Sequence, residues 1–312
     1  MSAFVVVNPR SGNGRTARDW KNIERKLSDV YPSMTVAFSE KRGDVTALAR
    51  AALLRGASEI VAVGGDGTIN EAVNGMFEDG EALEPDAVFA FVTSGTGGDF
   101  RKSFGIDPGP DAAIARLKAA MVRPVDVGRV ACLTAQGERT ERYFINIASF
   151  GMSGRIVDSV NRARIAKLFG GAFAFAFHSV LGMLRHRDIP VRLVVDGKDH
   201  GAAPVSTVAV ANGQYFGGGM RIAPDARVQD GAFDVVVLGT APKGTSVAKM
   251  KLIYTGAHVN EPHVRVLRGA SVVAAPVAEG RGRPILIETD GESAGRLPAT
   301  FEILPKALNL RC

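Results

Sequence analysis

Cysteine is scarce in this chain: Cys132 and Cys312 are the two residues of that type among 312. Standing so far apart, they indicate neither a disulfide framework nor a cysteine-built metal site. Histidine is nearly as rare, and His178, His186, His200, His258 and His263 show no zinc-ligand spacing. No dense run of lysine and arginine interleaved with aromatics occurs, which argues against nucleic acid as a partner. Ser94 and Ser153 lie near glycines, but neither sits in the Gly-x-Ser-x-Gly turn of a serine hydrolase. Long uninterrupted apolar runs are also absent. The longest, residues 165–184, carries Lys167, His178 and three glycines, a poor composition for a membrane-spanning helix. The segment Met1-Ser-Ala-Phe-Val-Val-Val lacks the basic stretch of a signal peptide, so a cytoplasmic protein is expected. There is no low-complexity tail and no internal repeat.

Glycine, by contrast, is plentiful at 36 residues, within a composition that is 46% hydrophobic. A chain of 312 residues suffices for two domains and a sizeable core. Its formal charge of +6 favours anionic partners such as nucleotides or acidic lipid surfaces. Through residue 124 strands and helices alternate. Strands are expected at 3–7, 34–38, 59–63 and 88–92, and helices at 17–30, 44–55, 68–77 and 111–121. Repeated βα units predict a parallel sheet with helices on both faces and ligands outside the carboxyl ends of its strands. Glycine-rich loops after the first, third and fourth strands fall at that edge.

Near Arg123-Pro124 the pattern changes. Strands then predominate, at 125–130, 143–148, 191–195, 205–211, 233–238, 264–267, 271–275, 285–289 and 300–304. Turn signals such as Asp196-Gly197, Asn212-Gly213 and Asp290-Gly291 separate them. Helices are expected at 155–187 and 246–255. The chain thus reads as an α/β N-terminal domain over 1–124, to which 305–312 return, and a mainly-β C-terminal domain over 125–304. The second domain is expected to be an antiparallel sandwich or barrel, with a cleft between it and the first.

The sharpest signal is Val61-Ala-Val-Gly-Gly-Asp-Gly-Thr-Ile-Asn-Glu71. A buried strand stops at Gly64 and Gly65, and Asp66, Gly67 and Thr68 stand at the start of a helix. Glycines let the backbone approach a ligand closely, and amides at a helix start attract phosphate oxygens. An acid in such a cradle would repel phosphates unless it meets a cation, a donor or a substrate hydroxyl. That combination points to metal-assisted chemistry on a nucleotide. Helix capping explains Asp66 and Thr68 as well, though not the glycine pair before them. In Asn8-Pro9-Arg10-Ser11-Gly12-Asn13-Gly14-Arg15, Asn8 can hydrogen-bond a nucleotide, and backbone amides with Arg15 can face phosphates. An ordinary turn has the same composition.

Gly64-Gly65-Asp66-Gly67-Thr68, with Asn70 and Glu71, resembles the nucleotide-binding signature of the diacylglycerol kinase-like lipid kinases, which include sphingosine and ceramide kinases. NAD kinases and phosphofructokinases carry a related signature. Further segments match the lipid-kinase pattern in order: Asn8 to Gly12, Gly95-Thr96-Gly97-Gly98-Asp99-Phe100, Asp126-Val-Gly128 and Phe144-Ile-Asn146 with Gly151. Next come Asn212 with Gly217-Gly-Gly219, Ala223-Pro-Asp-Ala226, Asp230-Gly231 and Asp290-Gly-Glu292. Gly98 departs from the pattern, because the usual residue there is Asn.

The resemblance implies an NAD kinase/phosphofructokinase-like parallel sheet, ATP as phosphate donor and Mg²⁺. ATP would be held by Asn8, Ser11 and Gly12, by Gly64, Gly65, Gly67, Thr68, Asn70 and Glu71, by Gly95 and Thr96, and by Ser39 after the second strand. Glu292 would be the general base, taking the acceptor hydroxyl's proton as that oxygen attacks the γ-phosphate. Asp66 would orient Mg²⁺ or the acceptor. Read alone, Asp290-Gly-Glu292 is more readily a hairpin turn with a solvated acid. A structural Mg²⁺ is implied at Asp230, with carbonyls from Arg227 and Ala232 and with Asp126 reaching it through water. A plain surface turn is the alternative.

Residues 155–187 mix Arg162, Arg164, Lys167, Arg185 and Arg187 with Phe169, Phe173, Phe175 and Phe177. Such a stretch suits contact with an anionic bilayer or burial against the β domain. The sequence therefore reads as an ATP-dependent lipid kinase acting on a lipid hydroxyl at a membrane surface. Diacylglycerol is the first candidate acceptor, and a sphingoid base or another lipid alcohol the second. The cytoplasm or the inner membrane face is the expected location, and a homodimer is compatible with the reading. The rivals are an NAD kinase and a nucleotide- or lipid-binding protein without turnover.

Overall fold

Ala3–Val7 is a run of five buried apolar residues, the two-sided burial that suits the interior of a parallel sheet. It is β1 of the computed structural model, which describes residues 3–93, 98–119, 121–154, 188–240, 251–277 and 284–312. The chain divides into unit 1, Met1–Val127 with Pro305–Cys312, and unit 2, Gly128–Leu304.

In unit 1 the elements alternate as α1 (Ser11–Ser28), β2 (Thr35–Phe38), α2 (Asp44–Leu54), β3 (Glu59–Gly64) and α3 (Asp66–Met76). A two-strand hairpin of β4 (Phe77–Glu78) and β5 (Glu81–Ala82) precedes β6 (Val88–Thr93), α4 (Asp99–Ser103) and α5 (Pro110–Ala119). The strands lie in the order β6-β3-β1-β2, every pair parallel. Asn309 and Leu310 extend the sheet, parallel to β6. Trp20, Ile23 and Leu27 of α1 and Ala113, Ile114 and Leu117 of α5 pack on Val5, Val7, Val61, Val63, Ala90 and Val92. At the amino end of β3, Glu59 is 1% exposed and receives Arg311 Nε at 2.6 Å, Arg311 Nη2 at 2.8 Å and the Tyr31 hydroxyl at 2.6 Å. Burial, then the Glu59 bond, pushes the Tyr31 pKa far above its ordinary value.

Unit 2 is built from β7 (Val122–Leu133), β8 (Arg139–Phe144), β9 (Ile147–Gly151), β10 (Ile189–Val195), β11 (Lys198–Ala211) and β12 (Phe233–Gly239). β13 (Val264–Gly269), β14 (Ser271–Pro276), β15 (Leu286–Thr289) and β16 (Glu292–Arg311) follow. β7 and β16 each carry the chain across the division between the units. Antiparallel pairing runs β9-β11-β10-β14-β16-β15 and returns from β15 to β9, closing the ladder on itself. Alternation along β11 sends Val208 and Val210 to one core cluster and Ala209 and Ala211 to another, so this strand is buried on both faces.

Several boundaries depart from expectation. The strand expected at 143–148 is broken in two, because the amides of Ile145, Asn146 and Ile147 turn to the Asp290 carboxylate instead of a neighbouring strand. The strand expected at 300–304 is part of the 20-residue β16, which pairs in turn with β15, β14 and β6. In α1 the residues Gly12, Asn13 and Gly14 are left-handed, with φ of 58°, 56° and 80°, so regular helix begins after them. The helix expected at 155–187 lies outside the described residues. So does the first part of that expected at 246–255, of which Leu252–Thr255 is helical. Among the described residues no helix is long and apolar enough to cross a membrane.

Candidate functional site

In unit 1 the segment after β1, the turn after β3 and the start of α4 are joined by hydrogen bonds. Gly65 is extended and caps α3, its carbonyl accepting the amides of Thr68 at 2.9 Å and Ile69 at 3.1 Å. Gly64 has no room for a side chain, since a Cβ there would stand 2.3 Å from Thr68 Oγ1. That hydroxyl is needed where it is: it accepts Asn8 Nδ2 at 3.1 Å, while Asn8 Oδ1 accepts the Arg10 amide at 3.0 Å. The first glycine loop is thereby tied to the second. Asp66 ties the second to α4, its Oδ2 accepting the amides of Gly98 at 2.9 Å and Asp99 at 3.1 Å. Asp66 thus organises the cradle through backbone, meeting donors as one of the alternatives open to an acid in that place.

The other residues expected at the nucleotide are placed as follows. Ser11 bonds the Thr16 hydroxyl, and Gly12 begins the left-handed run. Ser39 is buried just past β2, its amide bonded to the Val7 carbonyl at 2.9 Å. Gly67 lies in the first turn of α3. Asn70 is buried and accepts Asn74 Nδ2. Glu71 turns to α2, its Oε2 accepting the Gly43 amide at 3.1 Å and its carbonyl the Thr46 hydroxyl at 2.9 Å. Gly95 and Thr96 lie outside the described residues.

In unit 2, Asp290 and Gly291 have φ of 49° and 85°, the pair of positive values a two-residue type I′ hairpin requires. The Asp290 carboxylate accepts three amides, Ile145 and Ile147 at 3.0 Å and Asn146 at 3.1 Å. Asn212 Nδ2 donates to the Ile145 carbonyl at 2.8 Å, and Asn146 Nδ2 donates to the Tyr215 carbonyl. Segments far apart in sequence therefore meet in one knot, and Glu292 follows directly from it as the half-exposed first residue of β16. Beside it lies Glu288, which the sequence reading passed over. It is 2% exposed, its Oε2 accepts the Gly291 amide at 2.8 Å, and its Oε1 bonds the Ser149 hydroxyl. Burial is the main reason its pKa is lifted from 4.5 to about 7. An acid directly after the apolar run Ile285-Leu-Ile, at a strand position, was the one available signal.

Asp230, expected at a Mg²⁺, is bonded to protein groups in this structure. Its Oδ2 meets Arg268 Nη2 at 2.5 Å, and its Oδ1 accepts the Ala232 amide at 3.3 Å. Arg268 stands opposite Asp234 in the β12–β13 register and is 3.9 Å from that carboxylate. Burial raises the Asp234 pKa, and the bond to Asp230 raises that of Arg268. Arg227 lines a cavity of about 450 Å³ here with Gln214, Pro224, Asp225, Asp230 and Arg268. Among the described residues no group of three or more His, Cys, Asp or Glu side chains is placed to hold a metal ion. The donors expected for a resident Mg²⁺, Asp230 with Arg227 and Ala232, do not fit it as arranged, because a guanidinium already matches the Asp230 charge. Asp126, expected to join them, is buried in unit 1, where its Oδ1 accepts the Lys306 amide at 2.7 Å.

A glycine-lined, helix-capped edge on a parallel sheet, with a mainly-β unit carrying an anchored acid turn, is the arrangement expected of a phosphotransferase of the nucleotide-binding α/β class. Residues 2–130 match the model of the Diacylglycerol kinase catalytic domain, and residues 146–312 that of the YegS C-terminal NAD kinase beta sandwich-like domain. The chain is 29% identical over 306 residues to the Diacylglycerol kinase of Bacillus subtilis (strain 168), covering 96% of this chain and 92% of that protein. It is 25% identical over 308 residues to the Diacylglycerol kinase of Mycobacterium tuberculosis, covering 98% and 93%. A crystal structure of a diacylglycerol kinase from Bacillus anthracis str. Sterne superposes with a TM-score of 0.70 at 20% identity, covering 99% of this chain and 96% of that one. The chain belongs to the diacylglycerol kinase-like family and is a kinase.

Proposed function

We propose that this kinase transfers the γ-phosphate of ATP to a hydroxyl of a lipid, with diacylglycerol the acceptor we favour. The observation that carries this reading is the Asp290 anchor, a half-buried carboxylate that accepts three backbone amides and so fixes the turn that leads into Glu292. In the reaction the acceptor oxygen forms a bond to the γ-phosphorus, the bond from that phosphorus to the bridging oxygen breaks, and ADP leaves. Glu292 takes the proton of the attacking hydroxyl. In this reading the amides of Gly65 and Gly67 at the start of α3 and that of Gly12 meet the phosphates, where oriented N–H groups stabilise charge that spreads over the transferring group. Ser39, Gly95 and Thr96 complete the nucleotide contacts in this reading. Mg²⁺ enters with ATP as part of the substrate. The lipid names carried by the relatives support the choice of acceptor class, and the donor cradle by itself suits any nucleotide kinase.

The test is γ-labelled ATP with Mg²⁺ and mixed micelles of diacylglycerol, a sphingoid base or a total lipid extract, alongside an NAD-containing reaction. Labelled phosphatidic acid is expected. Glu292→Gln should lower kcat by about 10²–10⁴-fold while KM for ATP stays within a few fold. Label in NADP and in no lipid would overturn the reading.

A further inference from the structure

Glu288 belongs to no motif that links this chain to its family, yet it lies beneath the one turn whose placement the proposed chemistry needs. Antiparallel register sets it opposite Ser149 of β9. Its Oε1 bonds the Ser149 hydroxyl, and Ser149 Oγ lies 2.8 Å from Ser153 Oγ. Each hydroxyl has a single hydrogen, so the order of donors along this chain depends on whether the carboxyl carries a proton. The other carboxyl oxygen accepts the amide of Gly291, the residue immediately before Glu292. Register places Glu292 opposite Thr289, on the face of the hairpin away from Glu288. The two acids are therefore connected through the turn. Both of its central residues are held from unit 2: Asp290 by its carboxylate and Gly291 by its amide.

We propose that Glu288 is a positioning residue for the acceptor base, its ionised carboxylate clamping the Gly291 amide so that Glu292 is held at its working place. The inference rests on the reading of Glu292 as that base. A hydrogen bond from an amide to a carboxylate is roughly twice as strong as one to a neutral carboxyl group, so protonation slackens the clamp. Burial raises the Glu288 pKa to about 7, with the bonds from Ser149 and Gly291 opposing that rise. Asp290 and Glu292 are the charged groups acting on it among the described residues, and both push it up. The clamp accordingly tightens as pH rises through neutrality.

Initial rates with MgATP and diacylglycerol micelles, from pH 5.5 to 8.5, would compare the wild type with Glu288→Gln, Ser149→Ala and Glu292→Gln. Glutamine keeps an acceptor for the Gly291 amide but carries no charge. The ratio of wild-type to Glu288→Gln kcat should therefore grow about 5–10-fold between pH 6 and pH 8, with KM for ATP unchanged. Taking the ratio cancels ionisations of the substrates. Ser149→Ala removes a bond that lowers the Glu288 pKa, so the midpoint of the wild-type rise should move to higher pH. A ratio that stays constant with pH overturns the inference, whether the variant is fast or uniformly slow. If Glu288→Gln does not fold, Ser149→Ala decides: an unmoved midpoint overturns the inference. Wild-type turnover in Glu292→Gln would instead remove the base reading. A slow Glu292→Gln beside a pH-independent Glu288→Gln ratio leaves that reading standing and discards the clamp alone.

Discussion

Gly98 holds φ 68° and ψ 47°, a left-handed conformation that glycine and asparagine adopt more readily than other residues. What it supplies to the cradle is its amide, and the asparagine usual at that place in the family would supply the same amide. The departure therefore leaves the tie to Asp66 intact. Glu288 is a residue whose side chain cannot be spared in the same way. Its pKa is about 7 in the fold against 4.5 ordinarily, so between those values the folded chain holds the extra proton. Stability then falls as pH rises through that window and levels off above it. The shift corresponds to about 3 kcal/mol. Glu288→Gln has no proton to lose, and its melting temperature should gain on the wild type as pH rises from 5 to 8. Equal differences at the two pH values would mean that Glu288 titrates like an exposed acid.

Among the elements, the β12–β13 pair sets the fate of the turn at Asp230. Their register puts Arg268 where its guanidinium reaches both Asp230 and Asp234. Chelation and dialysis of the wild type should move its melting temperature by no more than about 1 °C, because the Arg268 guanidinium already matches the Asp230 charge. Arg268→Met leaves the acids unmatched and should make the melting temperature rise with added Mg²⁺. A large fall on chelation of the wild type would return Asp230 to the role of metal ligand. The alternating strands and helices of unit 1 were legible because each buried strand is a short apolar run bounded by glycine or polar turns. The interruption at Ile145 and Asn146 was not, since its cause is a carboxylate more than a hundred positions later in the chain. α4 escaped notice because five residues give too little periodicity to read. At the candidate site, the glycine run announced a cradle, but the bonds from Asp66 to Gly98 and Asp99 join loops that no local pattern connects. Glu71 looked like part of the same signature, yet its carboxylate serves the start of α2.

On the scale of the whole molecule, unit 1 is completed by a segment that follows unit 2 in sequence. Arg311 holds that segment to β3 through a bidentate bond to buried Glu59, with Tyr31 as a further donor. Removing one partner of a buried pair strands the other charge, so Arg311→Ala should cost unit 1 about 3–5 kcal/mol in denaturant unfolding. A loss under about 1 kcal/mol would show that the pair is no better than a surface contact. The placement of Asn309 and Leu310 beside β6 also bears on the order in which the chain can fold. Joining them to Val88 and Phe89 requires closing a very long loop, whose entropic cost grows with its length. If unit 2 folds first, its own strands shorten that loop before the last parallel strand docks. A defect confined to the unit 2 core, at Phe301 for example, would then delay completion of the sheet behind the phosphate cradle without touching any residue in it.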